Sequence, residues 1–244
     1  FPDSFRAISS SFVPDIVSEP IMLFGAQLNL TALIAGFLIC LYIVFRDVNK
    51  RRAKSKYGFD TMAIWFFIIK QVIMCGATMA FFYLLAAYNG IPTLLIILIV
   101  LIVIYSFVTS KSVIGRRIYA VGGNESAARL SGINTKRLVF ATNVNMGVLS
   151  AIAGIVFAAR LNAGTPKAGT GFELDAIASG FIGGASVYGG TGTIMGAILG
   201  CFIMGVMNNG MSIIGVSIDY QQAIKGLVIL LAVAVDMIAK DKEK

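Results

Sequence analysis

The stretch TLLIILIVLIVIYSFV, residues 93–108, holds no charged side chain and is almost wholly Leu, Ile and Val. It approaches the ~20 apolar residues that cross a hydrocarbon core as a helix. Directly after it, residues 109–137 carry Lys111, Arg116, Arg117, Arg129, Lys136 and Arg137 against a single acid, Glu125. An apolar run ending in a basic island is the mark of a membrane span that stops on the cytoplasmic side.

Similar runs lie on both sides of this pair. Residues 27–45, a segment within 64–88, and residues 138–159, 174–186, 193–207 and 223–238 complete a set of about seven spans. A second basic segment, 46–60, sets Arg46, Lys50, Arg51, Arg52, Lys54 and Lys56 against Asp47 and Asp60. Lys70 interrupts the second span, and it is expected to snorkel to the inner interface beside Trp65. Counting alternate crossings puts 46–60, 109–137 and the Lys240, Lys242, Lys244 tail on one side, as the charge bias requires. The fold class is therefore an all-α, polytopic transmembrane bundle, one domain over residues 1–244.

Composition agrees. The 244 residues are 57% hydrophobic and 13% charged, against about 25% charged in soluble domains, and mean hydropathy is +0.85. The net charge of +8 sits in short segments beside spans, so it points to membrane topology and lipid, not to nucleic acid. There is no histidine, which removes the commonest general base and metal ligand. Cys40, Cys75 and Cys201 lie far apart inside apolar runs and read as small core residues, with no metal implied. The chain begins at Phe1 without a signal peptide, and the missing initiator methionine suggests a fragment with sequence lost upstream, a processed mature protein being the alternative. Residues 1–20, 160–173 and 208–222 read as external segments.

Within the basic island, Asn124 is a good N-cap and Glu125 suits the positive end of a helix. Ala127, Ala128, Arg129 and Leu130 favour helix, and Gly132 supplies a left-handed stop. The helix from Asn124 to about Ser131 is too short to stand alone in water. Ala127, Leu130 and Ser131 share a face by their spacing, fit either for a partner's groove or for the protein's own bundle.

Residues 161–200 hold 11 of the 26 glycines. Ala176, Gly180 and Gly184, and then Gly192, Gly196 and Gly200, form small-xxx-small ridges that let helices pack closely. The uncharged joint Val187-Tyr-Gly-Gly-Thr-Gly192 is either a cytoplasmic turn or re-entrant. It lacks the Lys-Ser/Thr ending of a phosphate cradle. Glu173 and Asp175 suit the start of the fifth span, and Asp236 lies near the inner end of the last. Asn143, Asn145, Asn208 and Asn209 are amides in or beside spans. They are candidates for a translocation path as well as for interhelical hydrogen bonds.

Gly115-Arg-Arg-Ile-Tyr-Ala-Val-Gly-Gly-Asn-Glu125, followed by Ala-Ala-Arg-Leu-Ser-Gly-Ile133, resembles the cytoplasmic loop of the ribose/xylose/galactose-type (branched) permeases of sugar ABC importers. Glu173-Leu-Asp-Ala-Ile-Ala178, Gly183-Gly184, Gly189-Gly-Thr-Gly192 and Gln221-Gln-Ala-Ile-Lys-Gly-Leu-Val-Ile-Leu230 match that family in order. Lys56-Tyr-Gly-Phe59 looks like its multiple-monosaccharide branch. The resemblance implies a permease subunit in a bacterial inner membrane that moves monosaccharides by alternating access. It implies three partners: a separate ATPase, an extracytoplasmic sugar-binding protein and a second permease copy in a homodimer. Asn124, Glu125, Ala127, Ala128, Arg129, Leu130, Ser131 and Gly132 would then form the ATPase-coupling helix. Ser126 separates the glutamate from the alanines, a departure from the importer motif, and the family's N-terminal spans have no counterpart here. No cofactor and no catalysis are implied. A secondary transporter would need an intramembrane ion site, and a membrane enzyme would need a catalytic constellation, and neither pattern is present. An assembly subunit without its own pathway is the remaining rival.

Overall fold

The computed structural model describes residues 1–15, 21–23, 26–56 and 64–241. It divides into two compact units, Phe1–Ile96 and Ile97–Lys244. Glu19, Asp60, most of the Lys56–Phe59 motif and the last two lysines lie outside the described residues.

The first unit opens with a short helix, α1 (Asp3–Ser10), and a hairpin of two three-residue strands, β1 (Ile21–Leu23) and β2 (Ala26–Leu28). This hairpin and an isolated antiparallel bridge between Phe12 and Pro92 are the departures from all-α structure among the described residues. Two long helices follow, α2 (Leu30–Lys56) and α3 (Ile64–Tyr88). The start of α2 is capped twice. Asn29 Oδ1 accepts from Ala32 N at 3.2 Å, and the Asp15 carboxylate accepts from the backbone N–H of Leu30 and Thr31 at 3.1 Å each. Basic residues from Arg46 onward continue this helix for nearly three turns instead of opening a loop, because Arg and Lys are good helix formers and nothing there breaks the pattern. Leu28, Ala32 and Ala86 form a small buried core against Leu33 and Ile91.

Lys70 does not simply snorkel. Its Nζ donates to Asp47 at 3.1 Å, and Arg46 reaches the other oxygen of the same carboxylate at 3.2 Å. Asp47 is thereby paired while buried, and Arg51 stacks over the Phe67 ring at 4.7 Å. Both contacts tie the same ends of α2 and α3.

A third apolar helix, α4 (Thr93–Lys111), leads into the second unit. There the chain forms α5 (Val113–Gly123), α6 (Glu125–Leu130), α7 (Thr135–Leu161), α8 (Phe172–Ile182), α9 (Ile194–Ile213) and α10 (Ile218–Asp241). Side-chain caps open α5, α6, α7 and α9, from Ser112, Asn124, Asn134 and Thr193.

Among the described residues, six helices are long and apolar enough to cross a membrane: those within α2, α3, α4, α7, α9 and α10. The expected seventh span, 174–186, is instead the half-length helix α8. Its 11 residues rise about 16 Å, against roughly 30 Å of hydrocarbon. Gly184 stops it in the left-handed conformation, φ +84°. Ala185 N donates back to Gly180 O at 2.9 Å and Gly184 N to Phe181 O at 3.0 Å, which satisfies the last carbonyls.

The expected external loop 208–222 shrinks to residues 214–217. Asn208 and Asn209 lie inside α9, and the stop is Gly215, whose neighbour Val216 donates to Met211 O at 3.0 Å.

The α8–α9 pair packs backbone on backbone. A Cβ on Gly196 would strike the carbonyl of Gly183, and one on Gly200 the carbonyl of Ser179. The α9 ridge is the expected one, through Gly196 and Gly200. Its partner on α8 runs through Ser179 and Gly183, because Gly180 faces open space.

Candidate functional site: a short exposed helix and the turn packed against α5

The basic island folds as a chain of short helices. Asn124 ends α5 and begins α6: its N–H donates to Ala120 O at 3.0 Å, and its Oδ1 accepts from Ala127 N at 2.9 Å. Gly132 has φ +81° and closes α6, with Ile133 N donating to Ala128 O at 3.1 Å. Both caps were readable from sequence. Glu125 and Arg129 pair on the exposed side at 3.0 Å, worth a few tenths of a kcal/mol at most in water.

Burial gives α6 two faces. Ala128 is 5% exposed, whereas Leu130 is 90% exposed. Ala127, Ser131 and Gly132 are also exposed. The small residue faces inward and the large apolar one faces outward, the reverse of a helix resting on its own bundle.

The 187–192 turn packs against the end of α5, the helix that runs into α6. Tyr119 Oη donates to Gly192 O at 2.8 Å. A Cβ on Gly122 would lie 2.7 Å from Gly190 N, one on Gly189 2.6 Å from Gly122 O, and one on Gly190 2.8 Å from Gly123 Cα. The two backbones therefore cross in direct contact.

Two polar clasps join α10 to the α8 segment. Asp236 Oδ2 accepts from Ser186 Oγ at 2.8 Å and from Val187 N at 3.1 Å, which ties α10 to the turn. Lys225 Nζ donates to Asp175 Oδ2 at 3.0 Å and lies 2.8 Å from Oδ1, where the angle makes an ion contact and not a hydrogen bond. The Lys225–Asp175 pairing was not visible in the sequence, since the residues are 50 positions apart. The one hint was a lysine inside an apolar span, which demands a partner.

The four candidate amides do not converge. Asn145 Oδ1 accepts from Tyr105 Oη at 2.5 Å, linking α7 to α4, and Asn143 lies exposed on the same helix. On α9, Asn209 is exposed, while Asn208 Oδ1 is buried with no hydrogen-bond partner among the described residues. No hydrogen bond among the described residues joins the α7 pair to the α9 pair. A cavity of about 190 Å³ between α5 and α7 is lined by Ile118, Val121, Gly122, Leu138, Val139 and Thr142. That wall offers too few polar groups to bind a polyol.

Residues 21–233 match the family model described as "Branched-chain amino acid transport system / permease component". The chain is 39% identical over 221 residues to the xylose transport system permease protein XylH of Haemophilus influenzae, covering 89% of this chain and 58% of the relative. It is 39% identical over 210 residues to XylH of Escherichia coli K12, covering 86% and 53%. To the ribose import permease protein RbsC of Escherichia coli K12 it is 46% identical over 147 residues, covering 60% and 46%. The chain thus spans about half the length of the curated relatives it matches. No solved structure matches it. Its apolar helices and its relatives make it a multi-pass inner-membrane protein, and the chain belongs to the family of transport-system permease components in which the xylose and ribose permeases stand.

Proposed function

We propose that this chain is part of the membrane pathway of an ATP-binding-cassette importer for monosaccharides, working by alternating access and driven by a separate ATPase that docks on α6. The ATPase-coupling surface is Asn124, Glu125, Ala127, Ala128, Arg129, Leu130, Ser131 and Gly132. The observation that carries this reading is the inverted burial of α6, with Leu130 90% exposed and Ala128 5% exposed. A six-residue helix is unstable alone, and presenting leucine to water is unfavourable without a partner groove to receive it. Xylose and ribose permeases among the relatives support a monosaccharide as cargo. An extracytoplasmic binding protein and a second permease copy are the further partners of such an importer, and Asn143, Asn145, Asn208 and Asn209 are the proposed hydroxyl-binding positions of its path.

Pull-down of the co-expressed ATPase tests the reading. Leu130→Glu, Glu125→Lys and Gly132→Trp are expected to lose the complex, the last because a side chain at φ +81° strains the cap. ATPase binding and uptake unchanged in all three would overturn it.

A further inference from the structure

Resting on the reading of α6 as the ATPase dock, we propose that the 187–192 turn is the joint that carries displacement of α6 into the membrane helices, with Gly122, Gly190 and Tyr119 as its positioning residues. The contact lies between the turn and the last turn of α5, which runs into α6 at Asn124, and it is backbone against backbone. Gly122 sits in helical conformation, where glycine costs roughly 1 kcal/mol relative to alanine. The crossing supplies the reason, because any Cβ there would fall 2.7 Å from Gly190 N. Gly123, the next residue, has open space where its Cβ would go. Tyr119 adds a directional bond to Gly192 O at 2.8 Å.

A joint made of backbone has no flexible side chain to absorb a push, so movement on one side is passed to the other. What lies on the other side is itself tied together. The Asp236 clasp holds the turn to α10, and Gly183–Gly196 and Ser179–Gly200 lock α8 to α9. At the far end of α8, Lys225 holds Asp175. The intervals 175–186 and 225–236 are equal, so two parallel segments are pinned at matched heights. The turn, α8, α9 and α10 consequently move as one body when α6 is displaced. The stiffness of this assembly is what converts docking at the surface into motion inside the membrane.

The test uses the complete importer in proteoliposomes, with its native cysteines replaced and spin labels at Ser126 in α6 and Met195 in the first turn of α9. Both positions are exposed. The label-to-label distance distribution is expected to be the same without nucleotide and after ATP–vanadate trapping. Gly122→Ala is expected to retain the ATPase and its ATP hydrolysis, to lose uptake of labelled xylose and ribose, and to show a nucleotide-dependent distance. Gly123→Ala is expected to behave as the parent. Tyr119→Phe is expected to lower uptake without lowering ATP hydrolysis. A parent distance that changes with nucleotide would overturn the proposal, and so would a Gly122→Ala variant that couples normally. The parent measurement does not depend on whether Gly122→Ala folds. Failure of the docking reading registers separately, as ATPase that still co-purifies with Leu130→Glu, whereas failure of the joint leaves that dependence intact.

Discussion

Replacing Lys225 by methionine keeps the length of the side chain and removes its charge. Lys225 is 12% exposed and Asp175 22%, with 2.8 Å between Nζ and Oδ1. At that separation, and with an effective dielectric constant near 20, the gross attraction is about 6 kcal/mol. Much of it offsets the desolvation of two ions. What a single substitution removes is larger than the net worth of the pair, because it strands the other charge, typically at about 3–5 kcal/mol. Asp175 retains some contact with solvent, so the lower end, about 3 kcal/mol, applies to Lys225→Met. The double variant Asp175→Leu/Lys225→Met leaves no stranded charge and is expected within about 1 kcal/mol of the parent. Reversible unfolding of the purified protein from mixed micelles gives all four corners of the cycle. Asp175→Leu alone strands the lysine at a similar cost, so with about 3 kcal/mol lost by each single variant and about 1 kcal/mol or less by the double, the coupling energy is expected at about 5–7 kcal/mol. A loss under about 1 kcal/mol for Lys225→Met would mean that the pair is screened like a surface ion pair, and that α10 is not held to α8 by charge.

Two further outcomes follow from the same geometry. Asn124→Ala removes the cap of α6 and is expected to cost about 1 kcal/mol of local helix stability. In pull-down this appears as weaker ATPase retention, restored by Asn124→Asp. Gly200→Ala forces a methyl group into the Ser179 carbonyl and is expected to destabilise the protein by about 1–3 kcal/mol, while Gly205→Ala, which faces open space, is not; thermal unfolding in detergent compares the two.

Local chemistry was legible in the sequence. Asn124 and Gly132 define α6 through the cap and the left-handed stop they form with near neighbours, and the positions of six of the seven expected spans follow from apolar runs alone. Asn208 and Asn209 misled, since amides suggest a loop, whereas a helix tolerates them and ends only at Gly215. The half-length of α8 was written in Gly183-Gly184, but those glycines also fit a packing ridge, and only the observed hydrogen bonds separate the two meanings. Contacts between distant segments were out of reach. Nothing near Lys225 in the chain names Asp175, and nothing near Gly122 names Gly190. Such pairings depend on how the helices dock, which periodicity does not encode.

What Leu130 touches decides whether α6 is the ATPase dock. A photo-crosslinking residue at position 130, with the same residue at Ile214, which is 80% exposed, would settle it in native membranes of cells that express the ATPase. Irradiation is expected to join position 130 to the ATPase subunit and to leave position 214 free of that adduct. An assembled, ATP-hydrolysing complex that gives no ATPase adduct from position 130 would contradict the account.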